Sequence, residues 1–333
     1  MKCASCGKES EYGICGRCLT EKNQMVSVPP VIEIIQCSRC GYFRLERWRE
    51  SSLSDAIDFH LYRNLRVHPE FDVIRVNFES VGDEIGRYRL DVEGYVRDHF
   101  HVFKSEFEVR LKKIACEKCS RQAGGYYEAI LQIRADKRKL TEKEINRILD
   151  IVENGVQKEK NNPKAFITKI ETRREGIDIY LGDKILGQKL SRMISRETGA
   201  DTKESSKIAG REDGRDFYRF TYLLKLPGFF KGDLVRDGNV IAVVRDVVKR
   251  KGYSIRTGKP VKLENPVVIA RKKELMESSV LNVDEYTVEV LDPYTFQTCM
   301  VEKPEMNLNV GDTVYVAKDG EKLIVIHPDL VEL

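Results

Sequence analysis

Apolar positions along this chain follow two different periods. Leu53, Ile57, Leu61 and Leu65 recur every four residues and predict a helix over 51–66, with Ser54 as its N-cap. The next segments, 72–78, 87–93 and 100–111, alternate apolar and polar positions and predict an antiparallel sheet with one wet face. Beyond residue 119 the periods interleave. A strand over 125–134 precedes the capping box Thr141-Glu-Lys-Glu144, which opens a helix with Ile145, Ile148, Leu149, Val152 and Val156 on one face. Strands over 166–170 and 176–181 lead to a second helix, capped by Asp183, with Leu186, Leu190, Met193 and Ile194 inward and Gly199 at its end. Strands near 201–209 and 217–226 close the unit, whose order resembles a split β-α-β module. After the break at Pro227-Gly228 come short strands near 232–235, 239–244, 288–292 and 311–316, with turns at Asp237-Gly238 and Asp319-Gly320. That pattern predicts one or two small β-barrels. The expected fold class is α+β and multidomain, with a zinc-binding domain over 1–122, a central α+β domain over 123–227 and a β-barrel domain over 228–333.

The cysteines add chemistry to the first domain. Cys3 and Cys6, Cys15 and Cys18, Cys37 and Cys40, and Cys116 and Cys119 form four C-x-x-C knuckles. Each knuckle projects two thiolates from one tight turn, and two knuckles supply the closed tetrahedral sulfur shell of a structural zinc site. Eight such cysteines predict a zinc-ribbon or treble-clef-like region with two four-cysteine sites and two zinc ions. The first two knuckles are close enough to close one short ribbon, leaving the third to meet the fourth; the alternative joins the second to the third. The first pairing is preferred, because the other sends the chain start to Cys116. Disulfide-linked loops are the competing use of such pairs, but no secretion signal accompanies them. Cys299 stands alone and reads as a small apolar core residue. The segment 26–35 reads as a linker leading into a short strand, and His99 and His101 as ordinary strand residues.

Charge is balanced overall, with a net of +4, but unevenly spread. Residues 245–273 hold ten Lys and Arg against Asp246 and Glu264, whereas 274–333 hold thirteen acids against three Lys. The basic stretch, with Lys249, Arg250 and Lys251 at its centre, is the expected RNA side of its domain. Around the third knuckle, Arg39, Arg44, Arg47 and Arg49 surround Trp48, the sole tryptophan, and offer phosphate contact and base stacking. The bland reading of the aromatics is a roof over the knuckle, and Phe43 is expected to serve as one. Arg134, Lys137, Arg138 and Lys139 form a weaker RNA candidate. No stretch is apolar enough to cross a membrane, and Met-Lys-Cys does not read as a signal peptide, so a cytoplasmic, reducing setting is expected.

The four unevenly spaced knuckles are followed by Tyr126-Tyr-Glu-Ala-Ile-Leu-Gln-Ile-Arg134, Glu175-Gly-Ile-Asp-Ile-Tyr180, Lys231-Gly-Asp-Leu-Val235 and Leu291-Asp-Pro-Tyr-Thr-Phe-Gln-Thr298. With these stretches the chain resembles, over essentially its whole length, an archaeal-type member of the large-ribosomal-subunit export adaptor family, named for a supposed part in nonsense-mediated mRNA decay. The resemblance implies a non-catalytic factor that binds ribosomal RNA and ribosomal proteins on the intersubunit face of the late large subunit and blocks premature subunit joining; a monomer is expected. It also implies a last domain like translation factor five-A, a pair of small β-barrels. Arg256-Thr-Gly-Lys-Pro260 shares too little with that factor's hypusine loop, and Lys259 reads as an ordinary basic residue. The chain stops at Leu333 without the extension that carries nuclear signals in eukaryotic members, so nuclear shuttling is not expected. The rival reading is a zinc-stabilised RNA-modifying or RNA-processing enzyme. Against it, no P-loop, dinucleotide fingerprint or metalloprotease motif is present, and the five histidines are scattered.

Overall fold

The computed structural model describes residues 1–159, 162–212 and 215–332. The chain forms two compact units, residues 1–120 and residues 121 onward.

The first unit runs α1 (Gly16–Lys22), β1 (Val26–Ser27), β2 (Val31–Cys37), β3 (Phe43–Arg44), β4 (Trp48–Arg49), α2 (Leu53–Asn64), β5 (Arg66–Val67), β6 (Phe71–Ser80), β7 (Arg87–Val96) and β8 (His99–Ile114), and ends in α3 (Glu117–Ala123). Its main sheet has the order β4-β3-β2-β8-β7-β6. β6, β7 and β8 pair antiparallel, as their alternation requires. The segment expected as a linker leading into a short strand does hold that strand, β2, but also a second short one before it. Val26 and Ser27 pair with β5, and β2 lies inside the main sheet, parallel to β8, with Ile32 and Ile34 buried. α2 packs on this sheet through Ala56, Ile57 and Leu61. Its N-cap is Ser52, not Ser54. Only Ser52 has an acid three residues on: Asp55 N–H donates to Ser52 Oγ at 3.0 Å, and Ser52 N–H donates back to the Asp55 carboxylate.

The second unit begins with β9 (Ala129–Ala135), α4 (Glu142–Lys158), β10 (Ile167–Arg173), β11 (Gly176–Leu181), α5 (Lys184–Thr198), β12 (Asp201–Glu212) and β13 (Arg215–Leu226). The sheet order is β10-β11-β9-β13-β12, with β9 parallel to β13. β11 lies between β9 and β10 and is antiparallel to both, so β9-α4-β10 is the expected split β-α-β unit. α4 and α5 cover one face, burying Ile148, Val152, Leu186, Leu190 and Ile194 against Leu131, Ile133, Ile179 and Leu224. Thr141 and Glu144 form the capping box, and Asp183 caps α5. Met193, expected inward, is 38% exposed. Its neighbours Leu190 and Ile194 already fill the helix's buried stripe, and Met193 falls at the stripe's edge. Gly199 ends α5 at φ 72°, a left-handed conformation that costs glycine little.

The chain continues through β14 (Leu234–Asp237), β15 (Val240–Asp246), β16 (Lys251–Ser254), β17 (Pro260–Lys262) and β18 (Val267–Ala270), which form one five-stranded sheet in the order β17-β16-β15-β14-β18. β19 (Met276–Val283), β20 (Thr287–Leu291), β21 (Thr298–Glu302), β22 (Thr313–Asp319) and β23 (Lys322–Ile326) form another, in the order β21-β20-β19-β22-β23, before α6 (Pro328–Glu332). β21 also touches β23, so the second sheet curls back on itself as a barrel does. A shared core joins the two sheets, with Leu234, Val243 and Ala270 from the first, Ala317 and Ile326 from the second, and Leu330 and Val331 from α6. Cys299, expected in a core, is only half-buried because β21 is an edge strand in the sheet order.

Candidate metal centres and basic surfaces

The eight knuckle cysteines gather into two groups, Cys3-Cys6-Cys15-Cys18 and Cys37-Cys40-Cys116-Cys119, with all Sγ atoms of each group within 4.8 Å of one another. The first group is local. Cys6 and Cys15 approach to 3.8 Å, and Cys3 Sγ accepts from the N–H groups of Cys15 at 3.3 Å and Ser5 at 3.4 Å. The second group depends on the sheet. β2 and β8 run parallel and in register to Cys37 and Ile114, so their matching ends deliver the third and fourth knuckles to one place. Cys40 and Cys116 approach to 3.9 Å, and Cys37 Sγ accepts from Cys116 N–H at 3.3 Å and Arg39 N–H at 3.5 Å.

These distances fit a metal. Tetrahedral bonds of about 2.3 Å to zinc put neighbouring sulfurs roughly 3.8 Å apart. The electrostatics fit as well. Backbone N–H groups of Cys15, Cys6 and Ser5 hold the Cys3 thiol down to about 6. Burial pushes the Cys37 thiol up, but N–H groups of Cys40, Cys116 and Arg39 outweigh it and bring it to about 6. Hydrogen bonding to Cys6 and Cys15, with burial, pushes Cys18 up to about 12, and burial first and neighbouring thiols next push Cys119 up as well. Each group therefore has one thiol poised to ionise and another that resists adding a second negative charge. A dication removes that conflict, since metal-bound thiols are deprotonated outright.

Tyr42 and Trp48 pack against the second cysteine group, whereas Phe43 is buried in the main core, which corrects its expected place as the roof. Adjacent strand residues face opposite ways, so Tyr42 and Phe43 cannot both turn to the sulfurs. Trp48 is half-buried there, with Arg39, Arg44, Arg47 and Arg49 exposed around it. None of the four arginines has a salt-bridge partner among the described residues.

The basic stretch in the second unit is less free than its charge suggests. Lys249 is exposed, with its ammonium 3.9 Å from Asp246, and Lys251 is exposed at the start of β16. Arg250 donates to Asp201 at 2.6 Å. Arg256 lies 3.5 Å from Glu302, Arg271 donates to buried Asp233 at 2.7 Å, and Arg236 pairs with Asp319. Three arginines of the basic stretch, Arg250, Arg256 and Arg271, are thus already ion-paired. A third basic surface is a cleft of about 430 Å³ lined by Arg134, Lys137, Arg138, Lys139 and Arg174, with Glu175. Two of its arginines are structural: Arg134 donates to Asp178 at 2.7 Å, and Arg138 grips Glu144 at 2.7 and 2.9 Å and the Pro227 carbonyl. Arg174 enters from the β10–β11 turn, which sequence proximity to residues 134–139 could not reveal.

No helix among the described residues is long and apolar enough to cross a membrane. The sequence matches the model of the NMD3 N-terminal domain over residues 3–124 and that of the NMD3 second domain over residues 126–226. No curated protein matches it. Among solved structures, it is similar to eukaryotic translation initiation factor 5A from Methanococcus jannaschii, at 14% identity over 38% of this chain and 95% of that one, with a TM-score of 0.19. That score is too low to equate the two folds. Two consecutive domain matches covering residues 3–226, on a chain that gathers its eight knuckle cysteines into two metal-competent groups, establish that the chain belongs to the NMD3 family, a ribosome-biogenesis export-adaptor family associated with the large ribosomal subunit.

Proposed function

We propose that this protein is a non-catalytic, zinc-containing assembly factor that binds ribosomal RNA on the intersubunit face of the large ribosomal subunit late in maturation. In this reading the zinc ions make Cys3, Cys6, Cys15 and Cys18, and Cys37, Cys40, Cys116 and Cys119, into two rigid knots. A shell of four cysteine sulfurs, once filled, leaves no coordination position for an activated water. The observation that supports the reading most is the set of four exposed arginines, Arg39, Arg44, Arg47 and Arg49, around the second cysteine group. A rigid zinc knot under such a cluster presents cations at fixed spacing to phosphates. Trp48 contributes its accessible edge. Lys249 and Lys251, with Arg250 as a structural neighbour, supply a second contact in the β-barrel part, and two contacts on one particle raise avidity through effective concentration. Occupancy of that face blocks premature joining of the small subunit.

The protein acts as a monomer in the cytoplasm, built of a zinc-binding part (1–122), a central α+β part (123–227) and a barrel part (228–333). Co-sedimentation tests the proposal. Metal-replete protein is expected to travel with salt-washed large subunits and not with small subunits, at low salt, and to be released as salt rises. No co-migration with large subunits overturns it, and turnover of ribosomal RNA fragments by metal-replete protein overturns the non-catalytic part.

A further inference from the structure

The helices of the central sheet cover one face only; the other face carries a run of aromatic and cationic side chains. Directly paired residues share a face, so Tyr180, Ile130, Thr221 and Ser205 form one row across β11, β9, β13 and β12. The helix-facing residues are their neighbours, Ile179, Leu131 and Tyr222. On the open face the rings of Tyr180 and Tyr127 meet edge to face at 5.0 Å. Lys169 stands 4.4 Å from the Tyr180 ring and Arg219 lies 4.1 Å over Tyr127. Beside them Phe217 packs on Tyr126 at 6.1 Å. Lys207 is opposite Arg219 on the edge strand, and Lys203 lies four pairs further along, on the same face.

Burial in a protein core does not explain this composition. The rings are half-buried, and Lys169 keeps 49% of its side-chain surface exposed. The acids in the neighbouring row, Glu171 and Asp178, are both engaged: Glu171 accepts from Lys169 at 2.6 Å and also pairs with Arg173, and Asp178 accepts from Arg134 at 2.7 Å. Arg219 Nε is buried and has no hydrogen-bond acceptor among the described residues. A buried guanidinium N–H without an acceptor is costly, and Arg219 reaches a ligand oxygen by swinging off the Tyr127 ring.

We infer that this open sheet face is a binding platform for single-stranded RNA, with Tyr127 and Tyr180 as base-stacking rings and Arg219, Lys169 and Lys207 as phosphate contacts. The inference rests on the reading of the protein as an RNA binder and adds where, and in which form, RNA is held. Aromatic rings offer a π-face to any unpaired base, whereas bases inside a duplex are already stacked on each other. A base arriving on Tyr180 or Tyr127 takes the place of the cation over that ring, Lys169 or Arg219, and that cation turns to the adjoining phosphate. The sheet order lets a strand run from Tyr180 on β11 and Tyr127 before β9 toward the lysines of β12. Sequence patterning alone missed the platform because its residues come from four separate strands and the loop before β9.

Fluorescence anisotropy with the full, metal-replete chain tests this. The probes are a labelled oligouridine of about ten nucleotides, within the range of known single-strand site sizes, and an RNA duplex of the same length. Tyr127→Leu with Tyr180→Leu keeps apolar bulk and removes the stacking rings; Arg219→Gln removes the guanidinium charge separately. The oligouridine is expected to bind more tightly than the duplex, and each variant to weaken it at least about fivefold while leaving duplex binding and the melting temperature unchanged. Absence of oligouridine binding by the unaltered chain, unchanged affinity in both variants, or equal losses for both probes overturns the platform. Co-sedimentation with large subunits, run on the same preparations, reports separately on the broader proposal: its failure overturns that reading, and its success beside a failed oligouridine assay overturns only the platform.

Discussion

Replacing Cys37 with serine breaks the second cysteine group at its most buried residue, which is 2% exposed and whose sulfur accepts from the backbone N–H groups of Arg39 and Cys116. With metal bound, that group ties Cys40 to Cys116, 76 positions apart, at the ends of two parallel neighbouring strands. Treated as a cross-link, closing so long a loop is worth about 4 kcal/mol of unfolded-chain entropy. The first group spans only Cys3 to Cys18 and is worth about 3 kcal/mol by the same rule, over a segment that adds little to the main core. A 120-residue unit carries roughly 6–18 kcal/mol in all, so the second link is a large share. At about 3–5 °C per kcal/mol for a unit of this size, Cys37→Ser is expected to lower the melting temperature of the first unit by roughly 12–20 °C. Elemental analysis should show zinc falling from two ions per chain to one. Circular dichroism melting of Cys37→Ser beside Cys3→Ser is the assay. Two zinc ions retained, an unchanged melt, or an equal or larger effect of Cys3→Ser refutes the idea that the second group holds the β2–β8 pair together.

Glu144→Gln breaks the pair with Arg138 and weakens the cap at Thr141, at an expected cost of about 1.5–3 kcal/mol at neutral pH. Burial pushes the Glu144 carboxyl up, but Arg138 and Thr141 hold it below the ordinary carboxylate range. Its stabilisation is therefore complete above that range and lost as pH falls through the lowered value, so urea melts of the two proteins should converge as pH falls well below the ordinary carboxylate range; a gap that stays constant from neutral to acid pH contradicts this. Lys249→Ala with Lys251→Ala should reduce the salt slope of RNA binding by about two without changing the melt, and an unchanged slope removes the turn from the interface. Arg250 is best left in place, since its loss also frees Asp201. Gly155→Ala should destabilise the central domain by about 1–3 kcal/mol despite alanine's better helix propensity, because the new Cβ would lie 2.4 Å from Leu190 Cδ2; a raised melting temperature would show that α4 and α5 can move apart at no cost.

Features that depend on a few neighbouring residues were legible from the amino-acid order alone. The C-x-x-C spacing sets two sulfurs on one turn whatever surrounds it, and Thr141 with Glu144 closes a capping box within one helical turn. The strand and helix periods of the central unit follow from which face each element buries, so β9-α4-β10-β11-α5 could be read before any contact was known. The choice of N-cap failed locally, at Ser54, because the decisive partner is Asp55 and only Ser52 stands three residues before it. Other outcomes required the assembled chain. Spacing favoured the pairing of the first two knuckles, but the parallel pairing of β2 with β8 is what brings Cys37 to Cys116, which no local rule joins. Strand alternation together with two adjacent cores decides that Phe43 enters the main core while Tyr42 and Trp48 lie on the sulfurs. Sheet order leaves Cys299 on an edge, and ion pairs across the fold occupy Arg250, Arg256 and Arg271, which a tally of charge along the chain counts as free. Spacing and period are short-range properties written into the covalent chain, whereas the pairing of distant groups is settled only when the strands that carry them choose their neighbours.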